Sequence, residues 1–313
     1  MKPEKLLSCL LLVLAGCSTG PRQPSQDWSV TSPEPPMEVE QVSEGPRVVQ
    51  AKDVTPPSII VQTNFSFPNT WVSLERWSRE THAGTLTQLS PAPNRSFALA
   101  TPNGAMIFYV HSLVARWAGM EFRLGFEPQM VGDELAVHAL DLKKNIEPLL
   151  ERFSVSAKTN PLVVIDPGHG GTNYGARSIF DGNYEKEFTL DWALRIQSQL
   201  SAVGWRVLLT RTNDVDLPLS ARVAFADEHR ADLFISLHFN SVGGNIEQSG
   251  LETFCLTPAG MRSTLTRDYE DNPALVYLNN GFDVENLQYA ALLHRELLKE
   301  CGLADRGVRR ARF

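Results

Sequence analysis

The chain has 313 residues, 42% of them hydrophobic and 21% charged, with a formal net charge of −7. Such a length predicts two domains, and the composition is that of a chain able to bury a core. The acidic balance excludes a nucleic-acid partner, because binding phosphates rests on basic patches.

At the N-terminus Lys2 and Lys5 precede the eleven residues Leu6 to Gly16, too short to span a bilayer and suited to a signal-peptide core. The run ends Leu14-Ala15-Gly16-Cys17, which resembles a bacterial lipobox. That resemblance implies that residues 1–17 are a lipoprotein signal and that Cys17 carries the lipid. Membrane attachment would then need no spanning helix. The expected location is the periplasm, and Ser18 rather than an acidic residue after Cys17 points to the outer membrane. An ordinary cleaved signal with a chance cysteine is the alternative. Cys9 would leave with the signal, so Cys255 and Cys301 remain, both expected to be buried free thiols.

Residues 18–57 carry eight prolines, with acidic and small polar residues and no apolar periodicity, and read as a disordered linker. Residues 58–152 predict a small β-rich domain, with strands near 58–61, 85–89, 96–100, 105–110 and 121–124 set off by Gly, Pro and Asn turns. Helices are expected over Trp71 to Glu80 and Val137 to Leu150, the latter interrupted by Pro148. The run from Gly104 to Leu150 resembles the N-terminal stalk-type domain of copper amine oxidases, without a copper-ligand set. His82, His111 and His138 are scattered and read as structural. Trp71, Trp77 and Trp117 read as packing residues, with sugar stacking the alternative.

From about 158 to 313 the pattern alternates strand and helix: 162–166, 184–203, 205–210, 219–230, 233–238, 251–256 and 285–301. This predicts an α/β fold, an open and mostly parallel sheet with flanking helices. Pro161-Leu162-Val163-Val164-Ile165-Asp166 is a buried strand that breaks into Pro167-Gly168-His169-Gly170-Gly171. Leu233 to Leu237 repeats the arrangement and delivers His238. Ligands in such sheets lie beyond the carboxyl ends of the strands, so both histidines are expected on one rim. Asn183 is the expected N-cap of the intervening helix, whose Phe188, Trp192, Ile196 and Leu200 recur every four residues on its buried side. Glu185 falls in its first turn. The helix dipole alone explains an acidic residue there; a chain looping back across the rim makes it the third member of a His2Glu zinc set. Glu187 is the second choice. Residues 257–284 lack periodicity and leave room for a lid. Arg306, Arg309, Arg310 and Arg312 read as a solvated edge, with an acidic-ligand site the alternative.

The runs VVIDPGHGG, NYEKEFTL, VLLTRTNDVDLPLSARVAFAD, ADLFISLHFNS, SGLETFCLTPAG and DRGVRRARF resemble, in order, the zinc-dependent N-acetylmuramoyl-L-alanine amidases of the amidase_3 family. The resemblance implies zinc held by His169, Glu185 and His238. It also implies hydrolysis of the peptidoglycan amide between N-acetylmuramic acid and L-alanine. It puts the family's general-base glutamate beyond Phe313, so the catalytic domain reads as truncated, with Glu252 a substitute candidate. The alternative is a catalytically impaired or inactive wall-binding lipoprotein that keeps the metal-site fold. The expected partners are peptidoglycan and, through Cys17, a membrane; whether an activator protein is needed is left open.

Overall fold

The computed structural model describes residues 61–62, 70–151, 160–178, 181–240, 249–265 and 271–312. The signal with Cys17, the linker 18–57 and most of the predicted strand 58–61 lie outside these residues. No helix among the described residues is long and apolar enough to cross a membrane.

After β1 (Val61–Gln62) come β2 (Trp71–Ser73) and α1 (Leu74–Thr81). The predicted helix therefore starts three residues later than Trp71. Ser73 is extended and its hydroxyl accepts from the Arg76 amide, which fixes the N-cap there. Next, β3 (Thr85–Ser90), β4 (Ser96–Thr101), β5 (Gly104–Tyr109), β6 (Val114–Trp117) and β7 (Met120–Arg123) form an antiparallel meander. Then β8 (Gln129–Val131) and β9 (Glu134–His138) pair with each other, and β9 also pairs with β2. Strands β6, β8 and β9 go beyond those predicted. Each is only three to five residues long, and its neighbour's ladder holds it in place.

The helix expected from Val137 starts only at Ala139, because Val137 and His138 finish β9. It is broken into α2 (Ala139–Asp141), a π turn (Leu142–Ile146) and α3 (Glu147–Leu150). The π turn ends just before Pro148, whose missing N–H cannot join a regular ladder. Trp77 and Trp117 pack against the core and Trp71 meets His138 edge-on, as packing residues do. His138 is buried, stacks on Phe126 and caps α2. His82 closes α1 in the left-handed conformation.

The following segment runs β10 (Leu162–Pro167), α4 (Glu185–Ala202), β11 (Arg206–Leu209), α5 (Leu219–Glu228) and β12 (Leu233–Leu237). These strands form a parallel sheet in the order β11-β10-β12. Every residue of β10 is buried, as expected of a central parallel strand. Ala193, Ile196 and Leu200 of α4 pack on Val163, Ile165, Val207 and Leu209, with Trp192 beside them.

The chain then makes β13 (Leu251–Leu256), β14 (Leu275–Val276), α6 (Asp283–Cys301) and β15 (Asp305–Ala311). The strand predicted at 251–256 forms, but in a different sheet from β12. It pairs in parallel with β15, and β15 meets β7 at Val308 and Phe122. The result is a seven-stranded mixed sheet, β13-β15-β7-β6-β5-β4-β3, that draws strands from both halves of the chain. Its core does the same: Leu287, Ala290 and Ala291 of α6 and Val308 of β15 pack with Leu74, Phe108 and Phe122. The architecture is α/β with flanking helices and a β-rich N-terminal part, as the sequence predicts.

Two expectations are corrected. The terminal arginines are not a solvated edge: Arg310 and Arg312 are each 3% exposed. Arg310 donates to Lys144 O, Asn145 Oδ1 and Leu256 O, while Arg312 pairs with Asp271 at 2.7 Å and donates to Pro258 O and Met261 O. Strand pairing on both sides of β15 buries its inward side chains, and each guanidinium finds acceptors there. Both remaining cysteines are free, but Cys301, at the end of α6, is exposed and Cys255 is half-buried. The expected lid 257–284 is tied down in part, since the Thr264 amide donates to Arg310 O and β14 pairs with β1.

Candidate metal centre

The site lies where β10 and β12 end and α4 begins. Three atoms converge there: His169 Nε2 lies 3.0 Å from Glu185 Oε1, His238 Nδ1 lies 3.1 Å from the same oxygen, and the two nitrogens are 3.2 Å apart. The structure thus brings together all three residues that the sequence singled out. Tetrahedral ligands at zinc bond lengths would sit about 3.3 Å apart, so the triangle has the right size. The donor set, two imidazoles and a carboxylate, also suits that ion.

Each arm of the triangle is held from behind. The His169 Nδ1–H bonds to Asn173 Oδ1 at 2.8 Å, which leaves Nε2 with its lone pair towards the centre. Glu185 is 5% exposed and accepts from the Ala176 amide at 2.8 Å and the Phe239 amide at 2.6 Å. Burial works to raise its pKa, but His169, His238 and these two amides outweigh it and hold the carboxyl well below the usual range. For His169, burial opposes the charged form, yet Glu185 and Asn173 leave its pKa raised. The helix begins one residue later than expected. Tyr184, extended, is the N-cap, and its amide donates to Glu187 Oε2 at 3.0 Å. Asn183 instead bonds to Asp181. Glu187 is thereby spent on capping, and Glu185 alone faces the histidines.

The backbone between β10 and His169 is shaped by residues that the sequence did not flag as part of the site. His169 has φ +63°, a conformation uncommon outside glycine. Two buried arginines grip this turn. Arg211 donates to Pro167 O and Gly168 O, each at 2.9 Å. Arg222 donates to Pro167 O at 2.9 Å and His169 O at 2.8 Å. Asp166, 2% exposed, pairs with Arg222 at 2.7 Å and also accepts from the Thr210 and Ser236 hydroxyls. Burial, with Arg222 beside it, lowers the pKa of Arg211. The usable signal was charge within otherwise apolar strand ends: Asp166 is the penultimate residue of β10 and Arg211 follows β11. Gly168 is required by contact, for a Cβ there would lie 2.3 Å from the His238 ring.

Glu252, the substitute base candidate, sits on β13 and is 7% exposed. One oxygen accepts from Asn240 Nδ2 at 2.7 Å and the other from Arg309 Nη1 at 2.8 Å.

The second half of the chain is similar to known proteins. The model of the N-acetylmuramoyl-L-alanine amidase family matches residues 163–313. The chain is 31% identical over 163 residues to N-acetylmuramoyl-L-alanine amidase AmiC of Escherichia coli O6:H1, covering 46% of this chain and 39% of that protein. It is 45% identical over 98 residues to AmiC of Neisseria meningitidis serogroup B, covering 31% of this chain and 23% of that one. The chain thus spans less than half the length of these two relatives. Among solved structures, the catalytic domain of the amidase CwlV from Bacillus (Paenibacillus) polymyxa var. colistinus is 32% identical, with 49% of this chain and 71% of that one covered and a TM-score of 0.38.

Proposed function

Since residues 163–313 belong to the N-acetylmuramoyl-L-alanine amidase family, we propose that this chain is a zinc-dependent peptidoglycan hydrolase cleaving the amide between N-acetylmuramic acid and L-alanine. The observation that carries the reading is the convergence of His169 Nε2, Glu185 Oε1 and His238 Nδ1 at 3.0–3.2 Å. These three residues would hold the zinc. When bound, the ion supplies a Lewis acid for the amide carbonyl and a water acidic enough to attack at neutral pH. The chain's own contribution is preorganisation. Asn173 fixes the tautomer of His169. The Ala176 and Phe239 amides fix the Glu185 carboxylate and keep it charged. Arg211 and Arg222 hold the turn that presents His169.

The test is one preparation assayed twice. The full chain is expected to bind one zinc ion, which His169→Ala is expected to lose, and dye release from labelled sacculi decides whether the bound ion is put to hydrolysis. Zinc binding without dye release would favour the wall-binding, non-hydrolytic reading instead. Full zinc occupancy in both His169→Ala and His238→Ala would remove the metal assignment.

The lipobox run ending at Cys17 supports a second part of the reading, a protein held by lipid to a periplasmic membrane surface, on the outer-membrane side.

A further inference from the structure

We propose that Glu252 is a positioning residue for the metal rim, acting through Asn240; this rests on the metal reading above. Strand β12 pairs with β10 and ends at Leu237, next to His238. The rim is pinned residue by residue just beyond the strand. Phe239 donates its amide to Glu185 and sets its ring against Phe188 and Trp192 of α4. Asn240 donates its side-chain amide to Glu252 at 2.7 Å, on β13 of the other sheet. Glu252 does not swing free: Arg309 donates to it at 2.8 Å and Arg306 lies at 3.5 Å, both from β15.

Hydrogen bonds to a charged acceptor are the strong kind, and this one ties the segment after β12 to β13. Groups that hydrogen-bond a metal ligand are worth about 10–100-fold in metal affinity, and Asn240 and Glu252 act on such a group, the Phe239 amide, through the adjoining backbone. A buried carboxylate with both oxygens engaged is poorly placed to take a proton from water, so Glu252 serves the rim rather than acting as the base.

The test uses the full chain with Asn240→Ala, Glu252→Ala and the double variant. Zinc affinity is measured by chelator competition, hydrogen exchange of the Phe239 amide is followed in metal-free protein, and hydrolysis is assayed alongside. Both single variants are expected to weaken zinc binding about 10–100-fold and to speed Phe239 exchange, and the double variant is expected to be no worse than the more impaired single one. Asn240→Ala is half-buried and carries the test if Glu252→Ala does not fold. Three results would overturn the proposal: additive losses, unchanged affinity and exchange in Asn240→Ala, or lost hydrolysis in Glu252→Ala with affinity and exchange intact. The last would make Glu252 the base. If the wild-type chain binds no zinc, the metal reading fails alone, and Phe239 exchange still decides the positioning role.

Discussion

Arg222→Met tests how the turn that presents His169 is held. Arg222 is 5% exposed and donates four hydrogen bonds, to Asp166 at 2.7 Å, His169 O at 2.8 Å, Pro167 O at 2.9 Å and Leu217 O at 3.1 Å. Pro167 O keeps Arg211 when Arg222 is lost. Asp166, 2% exposed, keeps only the Thr210 and Ser236 hydroxyls and no cation bonded to it. Breaking one side of such a buried pair costs about 3–5 kcal/mol, a large part of a typical 5–15 kcal/mol. For a cooperative unit of this size the melting temperature falls by about 6–20 °C. Methionine fills most of the volume, so the loss reports charge and hydrogen bonds rather than a cavity. The double variant Asp166→Asn, Arg222→Met removes the stranded charge and is expected to regain at least half of the lost stability. Urea unfolding followed by tryptophan fluorescence gives the free energies. A single variant within about 1 kcal/mol of wild type, or a double variant no better than the single, would refute the reasoning.

Three further outcomes are expected. Gly175 has φ +70°, and a Cβ there would lie 2.7 Å from both Glu185 and His169, so Gly175→Ala should lower zinc affinity at least tenfold while circular dichroism melting, which follows the whole chain, changes little. Asp141 is fully buried and its pKa is pushed up to about 6 by that burial, against the pull of its hydrogen bonds to Gly125, Asn145 and Phe126. The folded state then holds this proton more tightly than the unfolded chain, so the stabilisation is complete below pH 3.8 and lost as pH rises to about 6. Melting from pH 4 to 7 should therefore show a decline in wild type that Asp141→Asn lacks. Finally, Cys17→Ala should shift the protein from the membrane to the soluble fraction or leave an unprocessed precursor; identical fractionation of the two would count against the lipid anchor.

The triangle of His169, Glu185 and His238 was legible because its parts follow local rules. An apolar strand ending in glycines announces a rim, and β10 and β12 each deliver a histidine to it. Glu185 was harder, since a first-turn acid serves any helix, and its preference over Glu187 rested on the chain looping back across the rim, with Glu187 pointing elsewhere on the helix. What escaped was non-local. The arginines that grip the His169 turn come from the end of β11 and from α5, and nothing in their spacing says which carbonyls they will reach. The run 305–312 misled for the same reason. Four arginines in eight residues look solvated until β15 is placed between β7 and β13, where alternate side chains must turn inward. Asp271, Asn145 and the carbonyls that receive them lie tens of residues or more away in sequence.

Strand β15 also bears on how this protein can be taken apart or recombined. It is bonded to β13 on one side and to β7 on the other, and Asp305 at its start receives the Glu121 amide at 2.7 Å. Lys144 reaches Asp283 of α6 at 2.9 Å. The β-rich half is therefore no interchangeable cassette. Grafting it onto a relative would demand matching changes at Phe122, Val308 and Arg310 together.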